Sequence, residues 1–165
     1  EGLSAKHLLK NSKKLIILKA FTKLYGMAGV RLGYCLCSDT KLLARMRAAG
    51  QPWAVSSLAQ AAGIAALDET EYVAKVRALI EAQRPVLADG LRALGLRVIG
   101  GRANYLLFRA PEALGEALRR KGAVLRSCGN YPGLDASWYR TAVRTENENR
   151  QLLALLAETL PEVAQ

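Results

Sequence analysis

Apolar residues in the first third of the chain fall into short runs separated by polar and glycine-rich stretches. The almost continuous runs at 14–19 and 32–37 predict two strands that are buried on both faces. Three helices complete this part of the prediction, at 3–10, 40–49 and 53–67. Asp39 is a suitable N-cap for the second of them, and small residues in the third predict a closely packed, largely buried helix.

The pattern changes at residue 69, where apolar residues begin to recur at helical spacing. The spacing continues to residue 94 through Pro85, which predicts one long helix with a kink or two helices that meet there, and Gly95 ends it. Strands are predicted at 97–99, 103–109, 123–127 and 138–143, and helices at 111–121 and 146–160. We therefore predict an α/β protein with a first lobe at 1–67, a connecting helix at 68–95 and a second lobe at 96–165.

Composition adds two constraints to this picture. The chain has 165 residues of which 51% are apolar, enough for a globular protein with its own core. The formal charge is +10, which is typical of proteins that bind phosphate groups, including nucleic acids. The arginines are scattered singly through apolar segments, so the charge favours an enzyme that holds phosphates and a carboxylate, or a piece of a more acidic protein, over a nucleic-acid-binding module.

Cysteine and histidine contents exclude several kinds of site. The three cysteines lack metal-ligand spacing and are odd in number, as expected in a reducing cytoplasm. His7 is the only histidine, which argues against histidine triads and multi-histidine metal sites, and we expect it to be exposed on the first helix. The least charged run, 52–67, contains too many polar residues for a membrane span.

The first candidate site is a loop between the two predicted strands. Lys23 lies in this loop, followed by Gly26, Gly29 and Gly33, with Arg31 eight positions after the lysine. A buried ammonium either finds an anion or reacts as an amine. Together with glycines for close backbone approach and an arginine as an anion clamp, this set indicates a site for a phosphorylated aldehyde.

The second candidate site contains two arginines. Arg126 ends a predicted strand before a Gly-Asn-Tyr-Pro-Gly loop, and Arg140 lies in the next strand. Adjacent strand ends would aim both guanidiniums into one cleft, where they would bind a carboxylate or a phosphate. The alternative is that both are surface arginines on edge strands.

The segment from Lys19 to Gly33 resembles the lysine motif of fold-type I pyridoxal-phosphate enzymes in the class I/II aminotransferase superfamily. The resemblance implies that Lys23 is the Schiff-base lysine for pyridoxal 5'-phosphate and that Arg31 binds the cofactor phosphate. The family often has a serine where this chain has Ala20, which leaves Thr22 as the nearby hydroxyl for the phosphate.

Within this superfamily, further segments resemble the threonine-phosphate decarboxylases of cobalamin biosynthesis, at 51–55, 58–63, 101–109, 125–135 and 139–145. By this resemblance Arg140 holds the substrate α-carboxylate and Arg126 the substrate phosphate. Successive strand residues point to opposite faces, so Arg140, Thr141 and Arg144 cannot all point the same way, and we predict that Arg144 faces solvent. The implied reaction is decarboxylation of L-threonine O-3-phosphate to 1-amino-2-propanol phosphate by a cytoplasmic homodimer. Histidinol-phosphate aminotransferases share the lysine motif and are the alternative.

The same resemblance implies the architecture. We expect the last part of a fold-type I large domain, a long interdomain helix and a small C-terminal α/β domain. Enzymes of this family are more than twice as long, and their first half supplies the groups that contact the cofactor ring. We therefore expect this chain to be a C-terminal half that exposes apolar surface and is inactive alone.

Overall fold

The computed structural model describes residues 4–163, so Leu3 of the first predicted helix lies outside the described residues. A 3-10 helix over Ala5–Lys10, with His7 exposed, comes first. It is followed by strands β1 (Ile16–Ala20) and β2 (Gly33–Cys37) and helices α1 (Thr40–Ala49) and α2 (Ser57–Asp68). Helix α3 (Thr70–Ala93) is next, and the chain divides within it into two compact units, one up to Ala74 and one from Lys75 onwards.

The two strands of the first unit pair antiparallel, from Ile16 opposite Cys37 to Ala20 opposite Gly33. Neither strand contains a fully buried residue, and Leu18 is 77% exposed. The prediction of strands buried on both faces is therefore wrong for this chain. A two-stranded sheet has two open edges and too little surface to sustain a two-sided core.

Helix α1 has the predicted bounds and the predicted cap. The Asp39 carboxylate accepts hydrogen bonds from the Lys41 and Leu42 amides, both at 3.0 Å, and so satisfies two of the free N–H groups of the first turn.

Helix α2 begins four residues later than predicted, at Ser57, because the Ser56 hydroxyl accepts from the Ala59 amide and caps it there. Its buried residues form a single stripe of small side chains, at Ala59, Gly63 and Ala66. The larger Leu58 and Ile64 are 82% and 67% exposed, so the prediction of a largely buried helix is wrong. Small residues allow close approach along one stripe and leave the remaining faces uncovered.

Helix α3 runs through Pro85 as one element and ends where the sequence predicts. Gly95 adopts φ 78°, its amide donates to the Arg92 carbonyl at 2.9 Å, and the Leu96 amide donates to the Leu91 carbonyl at 3.2 Å. These two bonds form a Schellman motif, which glycine enters without a steric penalty.

The second unit contains a four-stranded antiparallel sheet in the order β3-β4-β6-β5, formed by Arg97–Ile99, Tyr105–Arg109, Trp138–Ala142 and Arg126–Ser127 respectively. Its helices are α4 (Leu114–Arg120) and α5 (Glu146–Val163). Strand β5 is shorter than the predicted 123–127. The Ala123 amide donates to the Leu118 carbonyl at 2.9 Å, so this residue completes the end of α4 instead of joining the sheet.

One face of this sheet packs on α4, α5 and the part of α3 that belongs to this unit, and forms the core. The most buried residues of this core have exposed fractions of 3% or less and come from α3, β4, α4, β6 and α5: Leu87, Leu91, Leu106, Phe108, Leu114, Leu118, Tyr139 and Leu156. The opposite face carries alternate strand residues, which are exposed or half-buried. Among residues 4–163, no helix combines the length and the apolarity needed to cross a bilayer.

Candidate functional site

Lys23 lies in the loop that joins β1 to β2. The Phe21 amide donates a hydrogen bond to the Leu32 carbonyl at 3.2 Å and extends the strand pairing by one residue. The chain then turns, and the Gly26 amide donates a hydrogen bond to the Lys23 carbonyl at 3.3 Å. Lys23 is exposed, so the predicted burial of its ammonium is wrong. The loop projects from a sheet of only two strands, and within residues 4–163 the Lys23 amine makes no hydrogen bond or ion pair.

Arg31 lies in the same loop in an unusual backbone conformation. Its φ is 57°, in the left-handed region that costs a non-glycine residue about 1–2 kcal/mol. Its exposed guanidinium makes one long contact, from Nη1 to the Ala28 carbonyl at 3.5 Å, which leaves most of its donors free. Thr22 is half-buried one position before the lysine.

These three side chains fit a phosphorylated aldehyde such as pyridoxal phosphate. The loop offers an accessible primary amine for the aldehyde, and a guanidinium and a hydroxyl for the phosphate. The fit rests on the chemistry of the donors and on the free amine of Lys23 in the described part of the chain.

The glycines of the loop have roles within the hairpin itself. Gly26 adopts φ 65°, and a Cβ on Gly33 would lie 2.8 Å from the Lys19 carbonyl oxygen. Gly29 has neither restriction, since φ is not positive and its Cβ would meet no atom within 4 Å. Two of the three glycines are therefore required by the turn and the strand pairing rather than by a ligand.

Aromatic packing anchors the base of the lysine loop. Phe21 is 5% exposed, and its ring centroid lies 5.2 Å from that of Tyr25 and 5.8 Å from that of Tyr34. Tyr25 also stacks on Tyr72, with centroids 6.4 Å apart. Sequence reasoning gave these residues no role in the site, although Phe21 directly follows the apolar run of β1 and so marks the entry to the loop.

Arg126 and Arg140 occupy directly opposed positions on β5 and β6. Opposed residues of an antiparallel pair project from the same face, and here it is the face that the helices leave uncovered. Arg126 lies on an edge strand, whereas Arg140 lies on an internal strand and is half-buried. The two residues are thus neighbours on one face of the sheet, and the alternative of two edge-strand arginines holds for Arg126 alone.

Neither of these arginines has a carboxylate within 4.0 Å among the described residues. The guanidinium carbon of Arg140 lies 4.7 Å from the centre of the Tyr105 ring, and Arg126 Nη2 donates to Asn130 Oδ1 at 3.4 Å. Arg109, in contrast, has such a partner: its Nη2 lies 3.8 Å from Asp135 Oδ2. Like charges opposed on neighbouring strands repel, so a bound anion would stabilise this arrangement.

The loop that follows β5 is tied to the sheet by a polar network. Arg109 Nε donates to the Ser137 hydroxyl at 2.8 Å, and the Ser137 amide donates to Asp135 Oδ1 at 3.0 Å. The Ser137 hydroxyl donates to the same carboxylate, and this bond is the main reason why the pKa of Asp135 is below its ordinary value. The network fixes the end of the loop that carries Asn130.

Arg144 is exposed, as predicted, and its Nη2 lies 2.5 Å from Glu148 Oε1. Tyr105 and Asn130 are the neighbours of the arginine pair to which sequence reasoning assigned no role. Strand alternation was the available signal, because Tyr105 is two residues from Leu107, the partner of Arg140 across β4 and β6.

Comparison with known proteins gives three consistent results. Residues 2–156 match the family described as aminotransferase class I and II. The chain is 38% identical over 160 residues to threonine-phosphate decarboxylase of Salmonella typhimurium, a match that covers 94% of this chain and 44% of that protein. It is 37% identical over 158 residues to histidinol-phosphate aminotransferase of Symbiobacterium thermophilum, with coverage of 94% and 43%.

Solved structures show the same similarity. Histidinol-phosphate aminotransferase from Clostridium acetobutylicum matches with a TM-score of 0.92 and 30% identity, over 98% of this chain and 50% of that chain. L-threonine-O-3-phosphate decarboxylase from Porphyromonas gingivalis matches with a TM-score of 0.82 and 26% identity, over 94% of this chain and 49% of that chain. Histidinol-phosphate aminotransferase from Sinorhizobium meliloti was solved in complex with pyridoxal-5'-phosphate. It matches with a TM-score of 0.73 and 25% identity, over 93% of this chain and 42% of that chain. The chain spans less than half the length of the two curated relatives.

Proposed function

The chain belongs to the class I and II aminotransferase family, and on this basis we propose that it is part of a pyridoxal-phosphate-dependent enzyme that acts on a small phosphorylated amino acid. The names of the two relatives each include a phosphorylated compound, which supports a phosphorylated substrate, and threonine phosphate in the first of them is an amino acid. A related structure that contains pyridoxal phosphate supports the cofactor.

Lys23, Arg31 and Thr22 are the residues that we assign to the cofactor. Lys23 would hold the cofactor through its amine, which is free in the described chain, while Arg31 and Thr22 would bind its phosphate. When bound, pyridoxal phosphate supplies an electron sink for the bond that breaks at the α-carbon of the substrate. The Lys23 amine would carry the proton that is returned to that carbon.

The observation that carries the substrate proposal is the opposition of Arg126 and Arg140 without a carboxylate partner in the described chain. We assign Arg140 to the α-carboxylate and Arg126 to the phosphate of one substrate. Two guanidiniums that bind two anionic groups would orient the substrate, and orientation selects the bond that breaks.

L-Threonine O-3-phosphate is the substrate that this pair favours, because it carries both a carboxylate and a phosphate. We therefore propose its decarboxylation to 1-amino-2-propanol phosphate, in cobalamin biosynthesis, by a cytoplasmic homodimer. Histidinol phosphate has a phosphate but no carboxylate. Transamination of histidinol phosphate is nevertheless the second candidate, since the identities to the two relatives are 38% and 37%.

The test is a pair of assays on the complete protein that contains this sequence, loaded with pyridoxal phosphate. We expect carbon dioxide release from L-threonine O-3-phosphate, and loss of most activity in R126Q and R140Q. R97Q, on the same open face of the sheet, is the control and should retain activity. Amine transfer from histidinol phosphate to a 2-oxo acid, without carbon dioxide release, would favour the second candidate. Full activity of R126Q and R140Q on either substrate would contradict the role of the pair.

The isolated 165-residue chain is a separate case, and we propose that it is inactive alone. Incubation with pyridoxal phosphate, borohydride reduction and mass spectrometry would show whether Lys23 still reacts. We expect little specific labelling of Lys23 relative to Lys6 and Lys41, both exposed. Selective labelling of Lys23 would show instead that the loop is functional in this chain.

A further inference from the structure

Tyr105 lies beside Arg140 on the open face of the second sheet. Leu107 is the residue opposed to Arg140, and Tyr105 is opposed to Ala142, so Tyr105 and Arg140 are diagonal neighbours on β4 and β6. Diagonal neighbours on one face are within reach of aromatic and long side chains. The distance of 4.7 Å from the guanidinium carbon to the ring centroid places the cation over the ring.

The tyrosine ring is the only partner of the Arg140 guanidinium among residues 4–163. An unrestrained arginine side chain has many rotamers, and each substrate that binds it must first restrict them. Contact with the face of the Tyr105 ring restricts the guanidinium before a substrate binds. None of the guanidinium N–H groups makes a hydrogen bond or ion pair with another residue among 4–163, so they are free for a carboxylate or a phosphate.

We propose that Tyr105 is a positioning residue that holds Arg140 ready for an anionic group of the substrate. The inference rests on the proposed function of Arg140 and goes beyond it. It assigns to Tyr105, an uncharged residue, the role of holding the Arg140 guanidinium in place before the substrate binds. The phenol hydroxyl has no part in this role, since the ring face attracts the cation in phenylalanine as well.

The test uses the complete protein and the variants Y105F, Y105L and Y105M, with I99A as the control from the same face of the sheet. Binding of L-threonine O-3-phosphate is measured by calorimetry on protein prepared without cofactor, and KM and kcat are measured on loaded protein. We expect Y105L and Y105M to weaken binding and raise KM about ten-fold, with a smaller change in kcat. Y105F and I99A should stay within about two-fold of the wild type.

Thermal unfolding of each variant separates this effect from a loss of folding, and Y105M retains bulk at the position if Y105L is unstable. Unchanged binding in Y105L and Y105M, together with weakened binding in R140Q, would overturn the role of Tyr105 and leave the proposed function intact. Equal losses in Y105F and Y105L would also overturn it, because the hydroxyl rather than the ring would then be required. Unchanged binding in R140Q would overturn both proposals.

Discussion

The side-chain amide of Asn149 binds both backbone groups of Arg144. Its Oδ1 accepts from the Arg144 amide at 3.1 Å, and its Nδ2 donates to the Arg144 carbonyl at 2.9 Å. Nδ2 also donates to Gln83 Oε1 on α3 at 3.2 Å. Asn149 is 2% exposed, so these bonds are shielded from water and fix the chain two residues after the end of β6, the strand that carries Arg140.

Replacement of Asn149 by leucine should destabilise the second unit by about 3 kcal/mol. The substitution leaves the amide and carbonyl of Arg144 without their partner in a partly buried site, and each such unpaired group costs about 1–3 kcal/mol. Urea denaturation followed by circular dichroism measures the change. N147A, on the exposed face of the same helix, should change stability by less than about 0.5 kcal/mol. Similar losses of stability in the two variants would contradict the stabilising role of the hydrogen bonds from Asn149 to Arg144.

Acid should weaken the start of α5 in a defined pH range. Hydrogen bonds from Arg144, and next from the Thr145 hydroxyl, lower the pKa of Glu148 from 4.5 to about 2. Because the pKa is lower in the folded chain, ionised Glu148 stabilises the fold above pH 4.5 and this contribution is lost as the pH falls toward 2.

The measurement is the urea midpoint as a function of pH for the wild type, E148Q and R144M. We expect the acid-dependent loss between pH 4.5 and 2 to shrink in E148Q, which has no carboxylate to titrate there. R144M removes the main cause of the shift and should reduce the same loss in part. A wild-type slope in E148Q would show that Glu148 does not contribute in this range.

Features set by local chemistry could be predicted from the sequence. The Asp39 cap, the bounds of α1 and the Gly95 terminus of α3 depend on neighbours within a few residues, and all three are confirmed. Solvent exposure of Arg144 is also confirmed. Membership of the aminotransferase family followed from the order of residues around Lys23, and the comparisons bear it out.

Features set by tertiary contacts could not be predicted from the sequence. Apolar runs such as β1 show what a strand is suited to pack against, and only the other layers of a fold decide whether it is buried. Leu18 and Leu58 are exposed for this reason, and so is Lys23. The contact of Tyr105 with Arg140 depends on strand register, which the sequence leaves open until the pairing of β4 with β6 is known.

Gly33 should not tolerate a side chain, whereas Gly29 should. A Cβ on Gly33 would lie 2.8 Å from the Lys19 carbonyl oxygen, a backbone atom that cannot move without breaking the pairing of β1 with β2. We expect G33A to destabilise the hairpin by about 1–3 kcal/mol, and G29A to be close to neutral. Hydrogen exchange of the β1 and β2 amides reports on the hairpin directly, and equal protection in the two variants would contradict the steric argument.

Phe108 should be the most sensitive aromatic position of the second unit. It is 0% exposed at the centre of the helix-covered sheet face, so its truncation leaves a cavity. We expect F108A to lower the free energy of unfolding by about 3–5 kcal/mol. V86A, at a position that is 54% exposed, is the matched truncation and should cost less than about 0.5 kcal/mol; comparable losses would mean that the core is not centred on Phe108.

The first unit should drive self-association of the isolated chain. Leu18, Trp53, Leu58 and Ile64 are between 67% and 96% exposed, and exposed apolar patches associate in water. We expect sedimentation velocity to show mass that rises with concentration, and L58K and I64K to shift the chain toward the monomer. A44K adds the same charge at an exposed position of α1 without removing apolar surface, and it should have a smaller effect. If A44K is as effective as L58K, net charge rather than the apolar face of α2 controls association. A wild-type chain that stays monomeric at all concentrations would show that these exposed apolar side chains do not drive association.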